Sequence, residues 1–269
     1  MQVIQASAVA TLVLNSLALW QQEARHPRGR HAAPLPQADF RSAWAAYIEG
    51  DGTRRRLLAI ALGTMAFGMQ DVLLEPYGGQ VLGMGVGATT WLTATLAGGG
   101  LAGFALASSI LSRGADPARL AVAGAWFGIP AFAAVTLAAA AQSVGLFAIG
   151  VLVIGFSAGL FGHGTLTLTM NRAPKEQAGL ALGAWGAVQA TAAGIAVALG
   201  GLLRDIVSAM AAQGWFGQAL AGPATGYAFV YALEMLMLAI TVAVMSGLIG
   251  DTHRLPRALP LSASPDRTS

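Results

Sequence analysis

The sequence predicts an all-α membrane protein of about seven transmembrane helices, and three observations carry that prediction. Of the 269 residues, 55% are hydrophobic, only 10% are charged and 35 are glycine, far from the profile of a soluble domain. The apolar residues gather in runs of about 20, the length at which a helix crosses a bilayer. Those runs lack the alternating pattern of barrel strands, and lipid offers no partner to unpaired backbone.

In chain order the runs cover roughly 2–20, 57–82, 90–112, 119–141, 144–169, 178–202 and 225–249. The first opens at Met1 without a charged leader and ends at Trp20 beside an Arg-rich stretch, so it reads as a span rather than a signal peptide. Its unled start predicts a chain truncated at its N-terminal side. Residues 21–56 form a basic linker with Pro27, Pro34 and Pro36, in which Phe40 to Ile48 reads as a short interfacial helix. Residues 57–250 make a six-helix bundle. The tail, 251–269, holds three prolines and reads as flexible.

Charge sets the expected orientation. With 21–56 placed in the cytoplasm, the inside segments hold 14 of the 15 Lys and Arg residues and only Arg204 lies outside. The positive-inside rule then puts the N-terminus outside and the C-terminus in the cytoplasm. The same placement accounts for the net charge of +3 and removes the case for nucleic acid. Without cysteine, disulfides and thiolate metal sites are excluded. No nucleophile–base arrangement, P-loop or dinucleotide fingerprint appears, which argues against an enzyme.

Small residues recur at steps of three or four: Gly99 and Gly103, Gly155 and Gly159, and Gly179, Gly183, Gly186, Ala190, Gly194 and Ala198. Such spacing lets helices approach closely, and a flat small-residue surface also accepts a planar ring. The six Trp and ten Phe show no cage-like spacing, so they locate no stacking site.

Ionisable residues inside a membrane cost about 2.5 to 3.5 kcal/mol each and call for a partner or a function. Asp71 and Glu75, in GMQDVLLEPYGGQVLGM, sit about 21 and 27 Å up the second span and share a helix face at i, i+4. Like charges so placed repel, so one of them holds a proton or meets a cation. Arg204, in GGLLRD, is the cation at their depth and the expected counter-ion. Pro76 is expected to bend the helix beside them. The acids are read either as an ion pair locking two helices or as a coupling or docking site.

His163, in GLFGHGTLTLTM, lies about 10 Å from the end of its span at Met170. Its imidazole is a candidate ligand for a pigment, with Gly162 and Gly164 leaving room for a bulky ring; the alternative is a hydrogen bond to a neighbouring helix. Glu234, in YALEMLML, has no cation at its depth and is expected to be protonated or hydrogen-bonded. Gln189 and Thr191 read as interhelical contacts.

One span, a basic loop and six spans in three hairpins are similar to helix six, the central loop and helices seven to twelve of a major-facilitator protein. The connection LSRGADPARL resembles a worn form of the Gly/Asp/Arg loop of those transporters, or is an ordinary Arg-anchored turn.

Three blocks are more specific: MQDVLLEPYGGQVLGMGVGATT, SRGADPARLAVAG, and FGHGTLTLTMNRAPKEQAGLALGAWGAVQATAAGIAVALGGLLRD. They resemble the PucC/LhaA family, the bacteriochlorophyll delivery family of major-facilitator-like proteins in phototrophic bacteria. Its members have about twelve spans, and this chain departs by lacking the first five. The resemblance implies assembly of light-harvesting complexes by delivering bacteriochlorophyll or inserting antenna polypeptides. It also implies core antenna and reaction centre as partners, and an inner or intracytoplasmic photosynthetic membrane as the location. Two other readings stand beside it: a proton-coupled transporter with Asp71, Glu75 or Glu234 as carriers, and a structural subunit of an antenna complex. No catalytic residue transfers from the family, so Asp71, Glu75, His163 and Arg204 are nominated on their own chemistry.

Overall fold

A computed structural model describes residues 9, 12–14, 16, 17, 39–50, 52–174 and 177–249. The expected first span lies outside the described residues except for the few named, which are helical; linker residues 21–38 and the tail 251–269 lie outside them entirely. The chain divides into two units, Met1–Ala43 and Trp44–Ser269. Helix α1 (Phe40–Glu49) begins in the first and matches the short helix expected there.

The second unit continues with α2 (Thr53–Gly68), a 3-10 turn at Met69–Val72, α3 (Leu74–Gln80), α4 (Val86–Ser112), α5 (Pro117–Ala141), α6 (Val144–Arg172), α7 (Ala178–Ala212) and α8 (Ala224–Ser246). Taking α2 through α3 as one, six of these are long and apolar enough to cross a membrane. Every described regular element is helical, as the apolar runs require. The largest departure from the expected bounds is α7, which runs to Ala212 rather than stopping near 202. Ile206, Val207 and Met210 continue the helical apolar spacing beyond the Arg204–Asp205 interruption.

Helix starts follow capping chemistry. In LSRGADPARL, Gly114 turns left-handed at φ 86, Asp116 accepts the Ala118 amide at 2.8 Å, and Pro117 opens α5. Arg119 lies 3.9 Å from Asp116, so the loop acts as a capped, Arg-anchored turn. Ser143 likewise accepts the Leu146 amide at 3.2 Å and starts α6.

The second expected span is bent, one turn earlier than its proline. Pro76 is the third residue of α3, where a missing N–H leaves no intrahelical bond unmade. Its ring cannot follow an α-helical carbonyl at Val72, and the chain tightens to 3-10 over Met69–Val72.

Packing follows the small residues. On α4, a Cβ at Gly99 would run into the Leu152 carbonyl and one at Gly103 into the Phe156 carbonyl; on α6, Gly155 and Gly159 meet the carbonyls of Leu96 and Gly100. The two helices therefore touch backbone to backbone, and no residue larger than glycine fits. Helix α6 also packs along α5, while α8 lies on α2 and α5 and α7 on α2 and α8.

Buried aromatic rings fill the centre. Tyr77 contacts Phe147, Tyr227 and Tyr231 at 5.2, 5.3 and 5.6 Å between centroids. Through Phe132, the rings run on to Phe67 and Phe161. These residues come from five helices, and linear spacing gives no hint of the cluster. At one end of the bundle stand Arg54, Arg55, Arg56, Arg113, Arg119 and Arg172. There Arg55 donates to the Val244 carbonyl at 2.8 Å and caps the last turn of α8.

Candidate functional site

Asp71 sits in the 3-10 turn Met69–Val72 that interrupts the span. Asp71 lines a groove of about 180 Å³ between α2, α6 and α7, together with Thr64, Gln189 and the open flank of Gly162. Phe67 and Phe161 line it as well, giving a mostly apolar trough with three polar groups. Gln189, read from sequence as an interhelical contact, belongs to this trough.

Behind Asp71 the polar groups continue into the core. Gln70, buried, donates its Nε2 to Asp71 at 2.6 Å and to the Phe67 carbonyl at 3.1 Å, while its Oε1 has no partner. Glu234 of α8 is 0% exposed with neither carboxyl oxygen hydrogen-bonded. The backbone of Gln70 and the carboxyl of Asp71 are its polar neighbours from the broken helix. One helical turn away, the buried Tyr231 hydroxyl is also unpartnered. Each unmet buried polar group costs about 1 to 3 kcal/mol, so a series of them makes this a candidate site.

Glu75 goes elsewhere. In the first turn of α3 it accepts the Thr93 hydroxyl of α4 at 2.7 Å. The shared face expected for Asp71 and Glu75 is thus split by the 3-10 turn, and each acid has its own neutral donor.

The expected counter-ion is corrected too. Arg204 pairs with its neighbour Asp205 at 2.9 Å and lies over the Tyr227 ring at 5.0 Å, rather than reaching Asp71 or Glu75. Because α7 continues past this point, Asp205 is held beside the guanidinium on the same helix. The Tyr227 hydroxyl in turn donates to Gln80 at 2.8 Å.

His163 turns from the groove toward α4, edge-on to Phe104 with centroids 4.3 Å apart. Its Nδ1 is buried without a partner. The room expected at Gly164 is taken: a Cβ there would sit 2.8 Å from the Ala121 amide of α5. Space remains at Gly162, where a Cβ would meet nothing within 4 Å.

Along α7, Gly179, Gly183, Gly186 and Gly194 would also place a Cβ in open space. The stripe that packs α4 on α6 is thus answered on α7 by one whose glycine positions meet no described residue within 4 Å. Sequence reasoning missed Gln70, Thr64, Thr93 and Tyr231. Only the position of Gln70 beside an intramembrane acid could have signalled one of them.

A family model described as PUCC protein matches residues 1–253. The chain belongs to the PucC family. Among its PucC-family relatives, Protein PucC of Rhodovulum sulfidophilum is 57% identical over 209 residues, covering 77% of this chain and 46% of that protein. Protein PucC of Cereibacter sphaeroides is 50% identical over 248 residues, 92% of this chain and 53% of its own length. More distant is the bacteriochlorophyll synthase 44.5 kDa chain of Rhodobacter capsulatus, 26% identical over 255 residues and matched over 56% of its length. The PucC-family chain spans about half the length of the curated relatives it matches. No solved structure matches it.

Proposed function

We propose that this PucC-family chain is an assembly factor for light-harvesting complexes, one that docks an antenna helix in the photosynthetic membrane and handles bacteriochlorophyll there. The observation that carries this reading is the open small-residue face of α7 beside the Asp71 groove. A membrane helix associates by close backbone approach and a few polar contacts, and this face supplies both. Membership of the PucC family supports it, and the name of the bacteriochlorophyll synthase relative supports a link to that pigment. His163 is the residue to hold the pigment, as an imidazole ligand on the α4 side of the helix, reached once Phe104 swings outward. The reaction centre and core antenna are the expected neighbours, with the basic end of the bundle in the cytoplasm.

Copurification tests this. Antenna polypeptides and pigment absorbance should follow the detergent-solubilised wild type and fall in Gly183→Leu, Gly194→Leu and Gly162→Leu variants, which add bulk where a Cβ meets nothing within 4 Å, the last of them inside the groove. His163→Leu should lose pigment while keeping polypeptide. Complete absence of antenna polypeptides from the wild type, or full retention in every variant, would overturn the reading.

A second reading, a proton-coupled transporter, is favoured by one observation: the unpartnered Glu234 behind Asp71. Asp71→Asn and Glu234→Gln should then abolish proton-coupled uptake, and unchanged uptake removes both as carriers.

A further inference from the structure

At the basic end, where α2 and α7 begin and α6 ends, lies a second cavity of about 340 Å³ that the groove and His163 do not involve. Arg56 and Arg172 line it, with Tyr47, Thr53 and Gln177. Arg56 is only 4% exposed, and its Nη2 reaches nothing stronger than the Thr53 and Tyr47 hydroxyls, at 3.2 and 3.5 Å. Its Nε is buried without a partner, and so is Nη2 of Arg172. Among the described residues no carboxylate pairs with either guanidinium; the ion pairs found are Arg119–Asp116 and Arg204–Asp205.

A buried cation with unmet donors costs several kcal/mol unless an anion completes it. The helix starts favour an anion as well. Helices α2 and α7 both start at this cavity, behind Gly52 and Gln177, and neither start has a side-chain cap. The Thr53 amide already donates to the Gly50 carbonyl at 3.1 Å, so what these starts add is the positive end of each helix dipole, which favours an anion. Trp44 and Tyr47, 6.1 Å apart, place an aromatic pair beside the cavity, as at a membrane–water boundary.

We propose that this cavity binds a phosphoryl anion between the guanidiniums of Arg56 and Arg172. Guanidinium forks match the oxygens of a phosphate, and basic pockets between membrane helices at the headgroup level take anionic lipids. The phosphoryl group comes from a lipid headgroup or from free phosphate.

The test uses the full chain, delipidated in detergent. Native mass spectrometry follows retention of dioleoyl phosphatidylglycerol against dioleoyl phosphatidylcholine, and calorimetry follows inorganic phosphate. Phosphatidylglycerol should bind about tenfold more weakly to Arg56→Gln and Arg172→Gln, while Arg54→Gln, at the same end but outside the cavity, binds as wild type. Arg56→Lys keeps the charge but not the fork, and loses a similar factor where Arg56→Gln fails to fold. Phosphatidylglycerol retained without phosphate binding assigns the site to a headgroup. Phosphate binding with the same arginine dependence assigns it to the free ion. Equal retention of the two lipids with no phosphate binding, or unchanged binding in the glutamine variants, overturns the site.

Discussion

The Thr93 hydroxyl of α4 donates to the Glu75 carboxyl of α3 at 2.7 Å, so this acid of the bent span is held by a neutral donor on the next helix. Thr93→Val should lower stability by about 1 kcal/mol, the scale of one interhelical hydrogen bond in a membrane. A double-mutant cycle with Glu75→Gln, read by thermal unfolding in detergent, should show the coupling. Additive effects would mean the two side chains do not act as a pair.

Glycines on α6 and α7 are expected to behave oppositely. Gly155→Ala drives a methyl group into the Leu96 carbonyl and should cost about 2 to 3 kcal/mol or prevent folding. Gly183→Ala meets open space and should change stability by less than about 0.5 kcal/mol. Unfolding of the two purified variants side by side decides the matter, and similar losses would contradict an open α7 face.

Arg204 offers a third check. Since it pairs with Asp205 and lies over Tyr227, an Arg204→Gln, Tyr227→Leu cycle should show coupling of about 0.5 to 1 kcal/mol. The corresponding cycle with Asp71→Asn should be additive within about 0.5 kcal/mol. Strong coupling to Asp71 would restore the counter-ion expected from sequence.

Glu234 should separate stability from function. Replacing a buried, unpartnered carboxyl by an apolar group of similar shape removes an unmet polar cost, so Glu234→Met should be neutral or stabilising by about 1 to 3 kcal/mol. If the residue is kept for function, the same variant should lose assembly activity in cells. A destabilised Glu234→Met protein would show instead that the carboxyl holds the bundle together.

Helix existence and bounds were legible because runs of apolar residues and capping residues such as Asp116 and Ser143 are local signals. Glycine spacing likewise marked α4 and α6 as close-packing helices, though not as each other's partner. Depth, too, can be counted from a helix end, but direction cannot. The pairing of Arg204 with Asp71 rested on depth alone, and it failed because a 3-10 turn and a continuing α7 changed which way each side chain points. The aromatic centre and the Gln70–Glu234 approach join residues far apart in sequence, and no local pattern encodes such meetings.

Helix α7 has one more consequence. From Ala178 to Leu203, just before the Arg204–Asp205 pair, it is mostly apolar over about 39 Å at 1.5 Å per residue, against about 30 Å of hydrocarbon. Matching the two by tilt alone takes a lean of about 40°. A partner helix standing upright would then cross the glycine stripe at an angle of that size, close to the roughly 40° at which small-residue helix pairs interlock. The excess length of one helix thus favours a short, upright spanning segment as the partner.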